Sequence, residues 1–331
     1  MSSFRIIIDR KSSVPRYRQI INQVEDAVGS GSLESGDRLP SVNQLIKSLN
    51  VSRDTIFKAY EQLKNRGVVE SVQSKAYFIR EGKIRILLFL DKFSPFKEGL
   101  YEEMRKNLPE NFSIDLYFHH YNPEVFSNVL ENGKGRYNYF VIMSFENDKI
   151  SAILENMDKR RVLILDVRHG APAHLPRIYQ DFGESFYNCL QKTHQKLLKY
   201  REILFVLRPE THHPRESAIA FINFCSDYGI RGKILDELRD EDIQREVAYI
   251  VVSDDDLVRV VEKSYEQGYQ TGKDIGLISY NDTPVKKVIT GGITVISTDF
   301  RDMGYRAANF LKSPGYINTL IPTSLIERKS L

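Results

Sequence analysis

From Ile84 onward the chain repeats one pattern: a short apolar run, an amphipathic stretch, then another apolar run. Such runs fall at about 84–90, 115–121, 138–143, 161–167, 202–207, 247–252, 274–280 and 293–298, with "IRILLFL" and "RVLILDV" the clearest. A strand that is apolar on both faces is stable only where both faces are covered. Intervening helices such as "PFKEGLYEEMRKNL", "FGESFYNCLQKTHQKLLKY" and "FRDMGYRAANFL" supply that cover. The pattern therefore predicts an α/β architecture with parallel sheets, and about 250 residues suffice for two lobes.

The first 80 residues obey a different rule. "PRYRQIINQVEDAVGSG" places Ile20, Ile21, Val24, Ala27 and Val28 on one face of a helix that starts after Pro15 and stops at Gly29 or Gly31. After the turn-rich "LESGDRLP", Ser41 and Gln44 form an S-x-x-Q capping box that opens a short helix to about Leu49. Ser52 is the next N-cap. The stripe Ile56, Ala59, Tyr60 and Leu63 follows, ending near Gly67, and "VVESVQSKAYFIR" alternates as a small hairpin. Three helices and a hairpin outline a winged helix-turn-helix, and "REGKIR" marks the boundary. The expected division is 1–80 for this unit and 81–331 for the two-lobed one.

Charge divides the same way. Residues 1–80 hold 13 Lys and Arg against 8 Asp and Glu, and residues 81–331 hold 34 against 36. A basic head on a near-neutral body points to a polyanion contact by the head alone. The longest apolar runs fall well short of the roughly 20 residues of a membrane span, and "MSSFRIIIDRKSSV" lacks the apolar core of a signal peptide, so a cytoplasmic protein is expected. Cys189 and Cys225 are too few for a disulfide framework or a thiolate metal cluster, and no histidine has metal-ligand spacing. No metal, cofactor or catalytic residue is expected.

In a helix-turn-helix the second helix enters the major groove while the first braces it. The elbow "NVS" is three residues long, and "SRDTIFK" puts Arg53, Thr55 and Lys58 on the first turns of the second helix. A capped helical pair with solvated charges fits this stretch equally well. Residues 14–79 nevertheless resemble the N-terminal domain of GntR-type bacterial transcription regulators. They share its Y-x-Q-I, S-G, G-D-x-L-P-S, V-S-R-x-T, A-x-x-x-L and G-hydrophobic signatures in order. The resemblance implies Arg53 and Thr55 as the main DNA contacts, Ser52 and Lys58 in support, Asn43 on the bracing helix and Lys75 on the wing. Asn43 and Phe57 stand where many members carry arginine, and Ser74 and Ala76 where wing glycines are usual.

Residues 84–331 resemble the effector domain of LacI/GalR-type repressors, whose fold is shared with periplasmic sugar-binding proteins. The stretch from "VAYIVVSDDDL" through "ISYNDTPVKKVITGGITVISTDFRDMGYRAANFL" to "LIERKSL" carries most of the match, with "SPFKEGL" in the first half. In open α/β sheets ligands sit at the carboxyl ends of strands. The candidate effector-binding residues are thus Asp91, Phe93, Phe96, His169, Arg208, Arg215, Asp255 and Asn281, and Asp166, Arg168, Gln180, Asp181, His213, Asp254 and Asp282 share the strand ends. By resemblance Asp255 is the strand-end aspartate, although the run 254–256 also reads as a helix cap. Ser217 stands where the family arginine is usual, which leaves Arg208 or Arg215 to replace it.

Together these features predict a homodimeric DNA-binding transcriptional regulator, by resemblance a repressor of a carbohydrate-utilisation operon. It would bind palindromic operator half-sites and be controlled by a monosaccharide such as L-fucose or arabinose. An α/β enzyme holding Mg²⁺ at "VVSDDDL" is the alternative. It lacks a P-loop, a G-x-S-x-G elbow and an H-E-x-x-H motif. A transport receptor fits neither the N-terminus nor the basic head.

Overall fold

The computed structural model describes residues 4–29, 32–65, 68–72, 76–80, 84–133 and 136–331. Gly67, Ser74, Lys75 and residues 81–83 of the expected boundary lie outside the described residues.

The head contains α1 (Arg16–Gly29), α2 (Val42–Leu49), α3 (Arg53–Asn65) and the antiparallel hairpin β1 (Val69–Val72) and β2 (Ala76–Ile79). Ile20, Ile21 and Val24 of α1 are fully buried against Ile56, Ala59, Tyr60 and Leu63 of α3, as the 3.6-residue spacing requires. The capping box of α2 is complete: Ser41 Oγ accepts from Gln44 N, and Gln44 Oε1 accepts from Ser41 N at 2.8 Å. Arg38 bridges to Phe78 and widens the wing sheet. Tyr60 hydroxyl donates to the Pro40 carbonyl at 2.6 Å and ties α3 to the segment that enters α2.

Beyond the head, β3 (Ile84–Leu90), α4 (Pro95–Lys106), β4 (Phe112–Phe118), α5 (Pro123–Gly133), β5 (Tyr139–Met143), α6 (Asp148–Glu155), β6 (Val162–Asp166) and β7 (Arg177–Gln180) build a first lobe. A second holds α7 (Glu184–Leu197), β8 (Glu202–Val206), α8 (Glu216–Asp227), β9 (Gly232–Leu235), β10 (Val247–Val251), α9 (Asp254–Glu266), β11 (Gly276–Tyr280) and β12 (Thr294–Thr298). The chain then returns as α10 (Phe300–Lys312) and β13 (Asn318–Ile321) before β14 (Thr323–Ile326). The sheet orders are β13-β7-β6-β5-β3-β4 and β14-β12-β11-β10-β8-β9, and every pairing in the two is parallel except β12 with β14.

Four strands escape the sequence pattern. β9, β13 and β14 are sheet edges, covered on fewer sides and therefore less apolar, and β7 carries Arg177 and Gln180. β4 also lies three residues earlier than its apolar run predicts, because Leu116 and Tyr117 of this edge strand are partly exposed. His119, His120 and Tyr121 consequently belong to a strand-end loop.

α10 packs its Phe300, Met303, Ala307 and Leu311 into the core of the first lobe, so the return of the chain is structural and not merely connective. At Gly304 a Cβ would stand 2.2 Å from the Leu100 carbonyl oxygen, and only glycine permits this approach of α10 to α4. The three crossovers meet in hydrogen bonds: Thr298 Oγ1 donates to Gln180 Oε1 at 2.8 Å, and the Thr298 and Thr323 hydroxyls are 2.9 Å apart.

Candidate functional site

The elbow between α2 and α3 is set locally. Asn50 caps α2 in the left-handed region (φ 50°), its N–H donating to Ile46, and Val51 plugs the core. Ser52 Oγ accepts from Thr55 N at 3.3 Å and lies 2.8 Å from Thr55 Oγ1, which starts α3 with both hydroxyls at the exposed N-terminus. Arg53, Lys58 and Asn43 are exposed. The Arg53 guanidinium sits 5.3 Å from the Phe57 ring, and the Lys58 ammonium 4.3 Å from the Tyr17 ring of α1. Phe57 thus holds the arginine above it by cation–π attraction. The surface presents a helix N-terminus, two hydroxyls and cations, which is what phosphates and base edges require.

A second polar group lies at the carboxyl ends of the strands. Asp91, after β3, is ion-paired with buried Lys97 of α4 and accepts a 2.7 Å bond from the Tyr121 hydroxyl. Burial alone would raise the Asp91 carboxyl, but Lys97 and Tyr121 outweigh it and hold it below the ordinary aspartate range. Asp166, at the end of β6 with φ 77°, accepts from Gln180 Nε2. Burial pushes its carboxyl up to about 6 against the pull of Lys97, with Asp91 adding to the rise. Gly170 (φ 80°) lets the following loop approach Phe145, where a Cβ would stand 2.8 Å from the backbone.

The second lobe faces these groups with its own strand ends. Arg208, after β8, grips Asp256 through Nε and Nη2, while Ser253 Oγ also donates to Asp256. Asn281, after β11, adopts φ 61°, held there by Lys286, which donates to the carbonyls of Tyr280 and Asn281. The ring of His213 stands among Phe182, Phe205 and Tyr280, and burial lowers its pKa to about 3. Ser94 Oγ, His213 Nε2 and Asn281 Oδ1 are buried without hydrogen-bond partners among the described residues. Across the mouth, the rings of Tyr121 and His212 stack with centroids 3.8 Å apart and planes 3° from parallel.

Not every expected residue joins this group. Asp255 is exposed on the first turn of α9; its neighbour Asp256 is the buried one, and Asp254 pairs with Lys286 at 2.9 Å. Phe93 is 69% exposed, edge-on to Phe118, while His169 and Arg215 are exposed. Phe96 packs against Phe300 with the rings tilted by 42°, and lines a cavity of about 900 Å³ with Leu257, Lys286 and Thr298. Asp91, Arg208 and Asn281 do stand at the facing strand ends. Lys97, Tyr121 and Phe182 were missed. Tyr121 was hidden by the reading of β4 three residues too late, and Lys97 by its place within a helix. Asp254 and Asp256 are turned to different cations and Asp255 to solvent, and among the described residues no group of three or more His, Cys, Asp or Glu could hold a metal ion.

Residues 16–79 match the model of the bacterial regulatory proteins of the gntR family, and 193–331 that of the periplasmic binding protein-like domain. The HTH-type transcriptional repressor YtrA of Bacillus subtilis is 35% identical over 95 residues, 29% of this chain and 72% of YtrA. This chain belongs to the GntR family. The mannosyl-D-glycerate transport/metabolism system repressor MngR of Escherichia coli is 32% identical over 86 residues, 26% of this chain and 35% of MngR. The trehalose repressor from Escherichia coli, 15% identical, superposes with a TM-score of 0.62 over 74% of this chain and all of that one. A LacI family transcriptional regulator from Bifidobacterium animalis gives 0.62 at 19% identity over 75% and 98%. The protein is a DNA-binding transcriptional regulator with a periplasmic-binding-protein-like effector domain. No helix among its described residues is long and apolar enough to cross a membrane.

Proposed function

We propose that this regulator is a cytoplasmic homodimeric repressor of a carbohydrate-utilisation operon. Residues 1–80 would read palindromic half-sites through Arg53 and Thr55, with Ser52, Lys58 and Asn43 around them and Lys75 on the wing. Residues 81–331 would dimerise and bind a small sugar; L-fucose and arabinose are the first members to try. One observation carries the effector half: Ser94 Oγ, His213 Nε2 and Asn281 Oδ1 are desolvated at facing strand ends, with nothing among the described residues to bond them. A buried polar atom without a partner costs about 1–3 kcal/mol, which a polyol's hydroxyls would offset.

Lobe closure supplies the switch. Gln180 bonds Asp166 in the cleft with its amide nitrogen and Thr298 at the crossovers with its oxygen, so a ligand that moves Asp166 acts on the hinge through one side chain. In a dimer, hinge rotation changes the spacing of two heads that must meet half-sites about one helical turn, ~34 Å, apart. Effector and DNA must then weaken each other equally. Gel retardation of a promoter fragment adjoining the gene, with and without each sugar, tests both halves. Retardation relieved by one sugar is expected; absence of retardation would refute the DNA half, and indifference to every sugar the effector half.

A further inference from the structure

We infer that the effector carries a protonated amine, as in an amino sugar, with Asp166 as its counter-ion. The inference rests on the reading of the cleft as the effector site. Two carboxylates, buried Asp91 and half-buried Asp166, stand at the strand ends of that site with one ammonium, Lys97, which is ion-paired with Asp91. Asp166 has the Gln180 amide and, among the described residues, no ion-pair partner.

Among the described residues, none of the other cations near the strand ends forms an ion pair with Asp166: Lys92 lies 5.8 Å from the Tyr121 ring, Arg177 donates to the Arg168 and Pro172 carbonyls, and Arg215 is exposed. Arg208 is bound to Asp256, Lys286 to Asp254 and Arg328 to Asp282, and Arg168 is exposed over the Tyr179 ring. Nor do the neighbouring histidines supply charge, since burial lowers the pKa of His119 to about 4 and of His213 to about 3. Asp91, Asp166 and Lys97 together therefore carry one net negative charge when Asp166 is ionised.

A hydroxyl would satisfy the carboxylate as a hydrogen-bond acceptor but leave its charge uncompensated. An ammonium does both, and buried charge favours the ligand that neutralises it. Aromatic rings complete the wall: Tyr121 stands 5.6 Å from Phe145, and Phe182 is stacked 6.3 Å from Tyr280. Ring faces attract an ammonium and pack equally well on the C–H face of a sugar.

Calorimetry and thermal melting of the full chain at pH 7.5 would compare D-glucosamine, D-galactosamine and D-mannosamine with the parent hexoses and the N-acetyl derivatives. At least one amine should bind about tenfold or more tighter than both neutral counterparts, and Asp166→Asn should bring it to their level. The N-acetyl compounds probe the same question on unaltered protein, so misfolding of the variant would not mask the answer. A neutral sugar that binds as well as its amine, with affinity unchanged in Asp166→Asn, would overturn the inference and leave the effector reading standing. If no member of the three sets binds, the inference fails, and the effector reading then stands or falls on L-fucose and arabinose in the same assay.

Discussion

At the scale of single residues, Phe57 changes what Arg53 is. An exposed arginine surrenders rotamer freedom when it binds DNA, and a ring 5.3 Å below the guanidinium restrains it beforehand. Arg53→Ala should cost about 1–3 kcal/mol of operator binding and leave effector-induced stabilisation intact. Phe57→Ala should cost about 0.5–1 kcal/mol, and quantitative gel retardation separates the two. Asp166 makes a pH prediction. Its folded pKa, about 6, exceeds the ordinary aspartate value of 3.8, so between these pH values the folded state holds more protons and stability falls as pH rises. Asp166→Asn should thus stabilise the ligand-free protein by about 1–3 kcal/mol above pH 6 and by little at pH 4, as read by urea unfolding at both.

At the scale of elements, caps and close approaches decide. The Ser41 box was legible because two side chains three residues apart satisfy each other's backbone, and Ser41→Ala should lower the head's stability by about 1 kcal/mol in thermal melts. Asp256 was legible only as one of three helix-capping aspartates. Burial and the fork of Arg208 single it out, and Asp256→Ala, which strands that guanidinium, should cost about 3–5 kcal/mol in urea unfolding. The physical need for Gly304 could not be read locally, since it arises from Leu100 two hundred residues away.

At the scale of the whole molecule, Tyr121 and His212 form a contact across the cleft mouth. Both lie at left-handed backbone positions (φ 57° and 54°), which aims their loops at one another. Removing the stack by His212→Ala should favour the open arrangement of the lobes. Small-angle scattering without ligand should then give a larger radius of gyration than for the unaltered protein.

The sequence by itself determined the element types and the character of each unit. Helix period, caps and apolar runs depend on neighbours within a few residues, and so the winged head and the buried parallel strands could be read directly. Asp91, Arg208 and Asn281 could be placed at strand ends for the same reason. Edge strands, the grip of Arg208 on Asp256, the pairing of Lys97 with Asp91 and the isolation of Asp166 were decided only in three dimensions. They depend on which loops two lobes bring face to face, and on burial, which sets the cost of every charge left without a partner.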